Sequence, residues 1–220
     1  MKKFAVIGLG SFGSNLVKTL AKKNVEIIAV DIDETKVNEI KDLATQPITM
    51  DATSKENLSS IGITDVDCVI VSAGPSLEPS IMIVYILKEL GVKQIIAKAL
   101  SEDHEKILLL VGANEVYYPE RDIAKKIGTQ LSFSNLLDYL PIESGFVIQE
   151  IAPPDSFIGK SLGEINLRKK YNVTVIAIKS IIPESTIMNP GADFLIKESD
   201  IMLVFGSDVD IEKLHKKLNP

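Results

Sequence analysis

Three glycines and one aspartate near the start of the chain have the types and spacing that suit the binding of a phosphate and a ribose. An apolar run over residues 4–7 leads into Gly8, Gly10 and Gly13, and a helix-like segment follows. Eighteen residues after Gly13, a second largely apolar run ends in Asp31. A strand, a glycine-rich turn, a helix and a second strand with a terminal acid are the dinucleotide-binding fingerprint when they occur in this order.

Each residue of this pattern has a separate physical role. Gly8 permits the tight turn out of the strand, Gly10 lets the backbone approach a pyrophosphate, and Gly13 lets the helix pack closely on the strand. The free N–H groups and the dipole of the helix N-terminus favour phosphate. Asp31 can accept hydrogen bonds from ribose hydroxyls, and because no Arg follows it, NAD-type or adenine ligands are favoured over NADP. Asp31 could instead cap the next helix, although Asp33 directly precedes that helix and is the better N-cap candidate.

Further candidate residues lie where later strands end. Asp51 could accept a bond from an adenine amino group and Thr53 could cap the next helix, with a simple capping turn as the alternative. The small residues 72–74 end the next strand at the crevice where the strand order reverses, and they leave room for a ligand. Lys98 could reach a phosphate or a ribose, or could be a solvated lysine. The predicted nucleotide-binding residues are Gly8, Gly10, Ser11, Phe12, Gly13, Asp31, Ile32, Asp51, Ala52, Thr53, Ala73, Gly74 and Lys98.

Composition bounds the class of protein. The chain has 220 residues, of which 45% are hydrophobic, and it has no Trp, which suits an aliphatic core around a buried parallel sheet. Its net charge of −6 argues against nucleic acid as a partner. No segment has the apolar length of a transmembrane helix and the start of the chain has no signal-peptide pattern, so a cytoplasmic protein is expected. Cys68 is expected in the core. His104 and His215 are expected on polar helix faces, in structural roles.

The elements that must position these residues alternate between strand and helix over the first 120 residues, which predicts an α/β fold with a Rossmann-like doubly wound parallel sheet. A long helix is predicted over residues 121–139. Its apolar positions occupy more than one face, as in a connector or a dimer element. The predicted strands cover 3–8, 26–31, 48–50, 68–71, 94–98 and 115–118, and the predicted helices cover 12–23, 34–43, 55–61, 79–90 and 102–111.

The last 80 residues predict a small α+β unit. We expect helices over 161–171 and 208–218 and a loop over 183–191. The predicted strands are 146–151, 173–179, 194–197 and 201–206. The predicted organisation is a nucleotide-binding domain over 1–120, a crossover helix or linker over 121–140, and a C-terminal regulatory domain over 141–220.

No catalytic set accompanies the nucleotide fingerprint. A Tyr-x-x-x-Lys pair is absent from the sequence, and neither histidine is well placed for hydride chemistry. Because cofactor chemistry needs a partner group beside the reactive ring, the sequence favours a non-enzymatic sensor. An NAD-dependent oxidoreductase is the alternative from a different class, and a nucleotide-binding regulator of another transporter is a third.

Several motifs carry a resemblance to a known family. Residues 8–13, 30–31, 51–53, 97–99 and 118–122 resemble the RCK domain, the regulator of potassium conductance. The tail resembles the companion TrkA-C domain, through 159–168 and the spaced pattern over 191–204. The resemblance covers nearly the whole chain and identifies it as similar to the regulatory subunits of Ktr/Trk potassium uptake systems.

This resemblance implies a ligand and an assembly. The N-terminal domain would bind ATP, ADP, AMP or NAD(H). The crossover helix would swap between partners of a homodimer, and dimers would form a ring, commonly an octamer. The ring would dock on the inner face of the membrane beneath a potassium-translocating subunit. In many ATP-reading members an Arg stands where this chain has Ser11, which leaves NAD(H) or AMP and ADP better placed.

The resemblance also implies two further sites. Some members bind cyclic di-AMP at the C-terminal dimer interface, and Arg168, Val175 and Ile176 lie near that motif, with Asn166 where an Asp is usual. Glu120 corresponds to a glutamate near the nucleotide phosphates of a neighbouring subunit, where paired copies can hold Mg²⁺ or Ca²⁺. From its position alone, Glu120 could instead cap the following helix, since carboxylates are favoured at helix N-termini.

Overall fold

The computed structural model describes residues 1–132, 136–142 and 145–218. The chain divides into two compact units, Met1–Asp122 and Ile123–Pro220.

The first unit is a parallel sheet of six strands in the order β3-β2-β1-β4-β5-β6. The order reverses between β1 and β4, which is the topological switch point of a doubly wound sheet. The predicted α/β Rossmann-like class is confirmed. Its strands are β1 (Lys2–Ile7), β2 (Val25–Asp31), β3 (Gln46–Thr49), β4 (Cys68–Val71), β5 (Ile95–Lys98) and β6 (Glu115–Tyr117). Its helices are α1 (Ser11–Leu20), α2 (Glu34–Ile40), α3 (Lys55–Ser60), α4 (Leu77–Glu89) and α5 (Glu102–Val111), and α6 (Pro119–Ser132) follows β6.

The central strands are apolar at consecutive positions because both faces of the sheet are covered. On β1, Ala5 and Ile7 belong to the hydrophobic cluster on one face, and Val6 belongs to the cluster on the other. On β2, Ile28 belongs to the first of these clusters and Ile27 belongs to the second. Burial on both sides is typical of parallel sheets. It leaves the carboxyl ends of the strands as the edge where polar groups can gather.

The second unit is an antiparallel sheet in the order β10-β9-β11-β8-β7 with helices, which confirms a small α+β C-terminal domain. Met202 and Val204 of the central strand pack with Leu214 of the last helix in one hydrophobic cluster. The strands are β7 (Leu136–Ile142), β8 (Phe146–Ile151), β9 (Thr174–Ser180), β10 (Ser185–Met188) and β11 (Asp200–Ser207). The helices are α7 (Leu162–Ile165), α8 (Leu167–Tyr171) and α9 (Asp208–Leu218).

The helix predicted over 121–139 is wrong in its second half. The helix α6 starts at Pro119 and ends at Ser132, residues 133–135 lie outside the described residues, and Leu136–Ile142 form β7. A short apolar segment fits both a helical and an alternating period. Here antiparallel pairing with β8 supplies the backbone partners. An ion pair between Lys126 and Asp138, at 2.8 Å, further ties α6 to β7.

The helix predicted over 161–171 is two short helices. Asn166 has a φ of 51°, in the left-handed region, and it ends α7 before α8 begins. Asn tolerates this conformation better than most residues. The interruption therefore has a local cause, although helix periodicity does not reveal it.

Two other predictions in the C-terminal unit are wrong. The predicted loop over 183–191 contains β10, which pairs with β9 in an antiparallel hairpin. Within the described part of the chain, the strand predicted over 194–197 makes only an isolated bridge, between Leu195 and Ser161. The presence of a partner strand beside β10 and its absence beside 194–197, rather than the local sequence, decided these outcomes.

The prediction that both histidines lie on polar helix faces is wrong, since both are buried. The Nδ1 atom of His104 accepts a hydrogen bond from the Leu100 amide at 3.2 Å, so its Nε2–H donates to Ser80 Oγ at 3.1 Å. His215 Nε2 lies 2.7 Å from Gln149 Oε1. Burial lowers the pKa of both imidazoles.

Cys68 lies in the core, as predicted, with its side chain buried on β4. Burial raises the pKa of this thiol to about 11. The thiolate is therefore scarce at neutral pH, and the cysteine acts as a small apolar side chain.

Candidate functional site

A cavity of about 840 Å³ opens at the carboxyl edge of the parallel sheet, at the switch point between β1 and β4. Every predicted nucleotide-binding residue except Gly13 lines it. The lining consists of Ile7, Gly8, Gly10, Ser11, Phe12, Val30, Asp31, Ile32, Lys36, Met50, Asp51, Ala52, Thr53, Ser72, Ala73, Gly74, Pro75, Glu78, Pro79, Met82, Ile83, Lys98 and Leu100. Mostly apolar walls with a few convergent polar groups are typical of small-molecule sites.

The three glycines of the fingerprint differ in their surroundings. Gly8 has a φ of 91°, and a Cβ placed there would lie 2.3 Å from the carbonyl oxygen of Ser72 on the neighbouring strand end. A Cβ on Gly13 would lie 1.9 Å from the carbonyl oxygen of Gly8. Around Gly10, by contrast, no described atom apart from Gly10 and its chain neighbours lies within 4 Å of such a Cβ. Gly8 and Gly13 therefore serve close packing of the turn, while Gly10 leaves open space towards the cavity.

The N-terminus of α1 lies at this open space. Gly10 occupies the N-cap position, and among the residues that the structure describes no side chain caps the helix. The first turn of α1 also carries no acidic residue. Uncapped N–H groups and the positive end of the dipole make this helix start suited to an anion.

Asp31 connects the end of β2 to the glycine-rich turn. Its side chain is only 8% exposed, and its Oδ2 accepts a hydrogen bond of 2.6 Å from the Leu9 amide. Its Oδ1 accepts another, of 2.9 Å, from the Asp33 amide, and the Lys36 ammonium lies 3.9 Å from the same oxygen. Asp33, whose carboxylate accepts from the Thr35 amide, is the N-cap of α2, as predicted. The carboxylate of Asp31 thus has a structural role and also faces the cavity.

Asp51 and Thr53 form a closed turn at the end of β3. Asp51 Oδ1 accepts from the Thr53 amide at 2.9 Å and from the Thr53 hydroxyl at 2.7 Å. These bonds lower the pKa of Asp51. The predicted cap of α3 is wrong, because Ser54 rather than Thr53 accepts from the first turn, at the Asn57 amide.

Lys98 is not a solvated lysine, which was the alternative to a role in ligand binding. Its side chain is 17% exposed, and its ammonium lies 2.5 Å from Glu120 Oε1, at the start of α6. The ammonium also lies 6.0 Å from the centre of the Phe12 ring. The hydrogen bond from Lys98 is the main cause that lowers the pKa of Glu120, and the amide of Glu120 itself contributes.

The start of α6 has a second attachment, to α5. Arg121 Nη1 lies 2.5 Å from Glu105 Oε2, and the guanidinium lies 5.2 Å from the centre of the Tyr118 ring. Two ion pairs therefore fasten the first turn of α6, one to a wall of the cavity and one to a helix outside it.

Sequence reasoning missed several residues that line the cavity. Lys36 lies in the first helical turn after Asp31, so its approach to that carboxylate could have been inferred from helix geometry. Met50, Glu78, Met82 and Leu100 had no local signal. Their presence depends on how the segments after β3, β4 and β5 come together.

No metal-binding cluster occurs within residues 1–132, 136–142 and 145–218, where no three His, Cys, Asp or Glu side chains are grouped to hold an ion. The predicted metal ligand Glu120 is a single carboxylate paired with a lysine. One chain alone therefore does not fit a divalent cation at this position.

Among the described helices, none has the length and apolar content needed to cross a membrane.

The fold and the cavity together define a class, the Rossmann-like α/β proteins with a glycine-rich first turn at the switch point. Two family models divide the chain between them: the TrkA-N domain matches residues 4–119 and the TrkA-C domain matches residues 147–219. The chain therefore belongs to the TrkA family, with an N-domain followed by a C-domain. The resemblance drawn from its motifs is confirmed.

Full-length relatives support the same membership. The chain is 39% identical to Ktr system potassium uptake protein C of Bacillus subtilis, covering 99% of this chain and 97% of the relative. It is 35% identical to Ktr system potassium uptake protein A of the same organism, covering 98% and 96%. Among solved structures, the GsuK channel bound to NAD matches with a TM-score of 0.56 at 22% identity. The match covers 99% of this chain and 38% of that chain, and at this identity it shows a similar fold.

Proposed function

We propose that this protein is a nucleotide-sensing regulatory subunit that gates a potassium-translocating membrane protein, and that it is not an enzyme. The observation that carries the proposal is the cavity at the glycine-rich turn, in a chain whose full-length relatives are named potassium uptake proteins. In that role the protein lies in the cytoplasm, on the inner face of the membrane through its partner. Occupancy of the cavity is the signal.

The proposed ligand is an adenine nucleotide, ATP, ADP or AMP, or NAD(H). A phosphate would lie at Gly10, against the uncapped start of α1, where both the open space and the dipole favour it. A ribose would lie at Asp31, whose carboxylate already accepts two amides and would share its remaining lone pairs. Asp51 would face the base, and Ala73 and Gly74 would leave space for the ligand to pass.

The proposal includes an assembly. We infer a homodimer that builds a ring, with an octamer expected from the family, docked on the potassium-translocating subunit. Cyclic di-AMP is a proposed second ligand of the C-terminal unit, near Arg168, Val175 and Ile176. A divalent cation, Mg²⁺ or Ca²⁺, is proposed at Glu120, where a second copy and nucleotide phosphates would have to supply further oxygens.

The ligand is tested by identifying what copurifies with the protein and by calorimetry with ATP, ADP, AMP and NAD⁺. At least one nucleotide should bind, and potassium uptake by cells that carry the partner subunit should depend on the protein. Failure of all four to bind would contradict the proposal. Hydride transfer to a substrate by the NAD⁺ complex would instead favour the oxidoreductase.

The cation site is tested by melting the nucleotide-bound protein with and without Mg²⁺ or Ca²⁺. Ligands that bind only the folded state raise the melting temperature. The cation should raise it for the parent protein and not for Glu120→Gln. An equal rise of the melting temperature in both proteins would exclude Glu120 as a cation ligand. Glu120 would then keep its structural role in the first turn of α6.

A further inference from the structure

The positive charge that lines the cavity is already compensated. Among the described lining residues, the cations are Lys36 and Lys98, against the carboxylates of Asp31, Asp51 and Glu78. Ser11, in the first turn of α1, adds no charge. A ligand with several phosphate charges therefore meets a cavity whose own charges do not favour it.

The two lysines are held in different ways. The Lys36 ammonium lies 3.9 Å from Asp31 and 4.0 Å from Asp33, at the limit of an ion pair. The Lys98 ammonium makes a close ion pair of 2.5 Å with Glu120, which is itself not part of the cavity wall. Lys98 is mostly buried, and solvent screens a buried charge less than an exposed one. The ammonium charge that Glu120 neutralises is therefore one that solvent screens weakly.

Lys98 also lies close to a residue in the first turn of α1. Its ammonium lies 6.0 Å from the centre of the Phe12 ring, and Phe12 is the second residue of α1. The uncapped N-terminus of that helix is where we propose that the phosphate lies. An anion there and the carboxylate of Glu120 would compete for the same ammonium group.

We propose that Glu120 is a specificity-determining residue that acts through Lys98. By holding the ammonium, it disfavours ligands with several terminal phosphate charges, such as ATP, relative to a nucleoside monophosphate. The inference rests on the proposed nucleotide function and names which ligands the site selects. It assigns Glu120 an effect in the absence of any metal.

The test is calorimetry of ATP and AMP binding in the presence of a chelator. Glu120→Gln keeps the size of the side chain and removes its charge, so it should tighten ATP by about threefold to tenfold relative to AMP. Glu105→Gln is the matched control. It removes a carboxylate outside the cavity that pairs with Arg121, the residue next to Glu120 in the first turn of α6. The control should leave the ratio of the two affinities unchanged.

A double-mutant cycle separates this competition from a general effect of charge. Lys98→Met should weaken ATP more than AMP, and Glu120→Gln should then give no further gain in the Lys98→Met background. The AMP affinity and the thermal melt of each variant report whether it is folded.

Three outcomes would overturn the inference. They are an unchanged ratio in Glu120→Gln, an equal gain in Glu105→Gln, and a gain that persists without Lys98. Failure of the parent protein to bind both ATP and AMP would also overturn the inference, whereas the proposed function itself fails only if ADP and NAD⁺ do not bind either.

Discussion

The glycines that follow β1 differ in role: two of them serve close packing, and we propose that the third serves ligand binding. Gly8 and Gly13 occupy places where a methyl group would meet a carbonyl oxygen, whereas Gly10 borders open space. Measurements of stability and of nucleotide affinity can therefore test these two roles separately.

We expect Gly13→Ala to lower the free energy of unfolding by about 1–3 kcal/mol, because its Cβ would lie 1.9 Å from the Gly8 carbonyl oxygen. Gly10→Ala should change stability by less than about 1 kcal/mol and weaken nucleotide binding at least about tenfold, since the methyl group would enter the proposed phosphate position. Urea unfolding and calorimetry give the two quantities. Parent-like affinity in a folded Gly10→Ala protein would contradict the proposed site.

The buried His104 predicts a dependence of stability on pH. Its native pKa is lowered by burial, so the unfolded chain binds more protons than the native protein once the pH falls below the ordinary histidine value of about 6.5. The free energy of unfolding should therefore decrease as the pH is lowered from about 7.5 to about 5.5. Urea unfolding across this range should show a smaller fall for His104→Gln. If the dependence of the free energy of unfolding on pH is the same in His104→Gln as in the parent protein, His104 does not contribute to it. The buried His215 is present in both proteins and does not affect this comparison.

At the scale of elements, the second unit illustrates how one residue divides a helix. Asn166 takes a left-handed conformation between α7 and α8, and Ser161 caps the first of them through a capping box with Glu164. This start and stop define a helix of a single turn. The same conformation occurs at Asn172, which ends α8.

Substitution at Asn166 tests this interpretation. Asn166→Gly should leave stability within about 0.5 kcal/mol, whereas Asn166→Ala should lower the free energy of unfolding by about 1 kcal/mol, because a Cβ disfavours positive φ. Chemical denaturation of the two variants is the measurement. A more stable Asn166→Ala protein, with increased helical circular dichroism, would mean that the sequence prefers one continuous helix.

At the scale of the whole molecule, α6 carries an apolar stripe that its own chain leaves uncovered. Ile123, Ile127 and Leu131 recur at four-residue spacing, each is exposed, and no residue of α6, all of which are described, is buried. Stripes of this kind are typical of helices that pack against a partner. The proposed homodimer would cover it.

We therefore expect the protein to be an oligomer at micromolar concentration. Light scattering should give a mass that is a multiple of the 24.0 kDa chain. Replacing Ile123 and Ile127 by Gln should shift it towards the monomer, whereas the matched change of two polar α6 residues, Lys125 and Thr129, to Gln should not. A parent protein of 24.0 kDa in solution would contradict the proposed assembly.

The fold of the first unit, and the edge where its cavity lies, could be predicted from the sequence alone. Glycine spacing, consecutive apolar residues and the terminal Asp31 form a recognisable pattern of residue types within a short stretch of chain, although Gly8 packs against Ser72 and Asp31 binds the Leu9 amide. For that reason the sheet class, the glycine-rich turn and the Asp33 cap could be predicted. The predicted binding residues other than Gly13 also line one cavity, because parallel strands end at a common edge.

The features that join distant segments could be found only in the three-dimensional structure. The pairing of Lys98 with Glu120, the burial of His104 against Ser80 and the strand β7 beside β8 each depend on a partner far away or on another element. Local periodicity cannot specify such partners, since a short apolar run fits a helix or a strand equally well and a charged side chain fits solvent or an ion pair. The backbone and side-chain partners that the fold supplies decide between these alternatives.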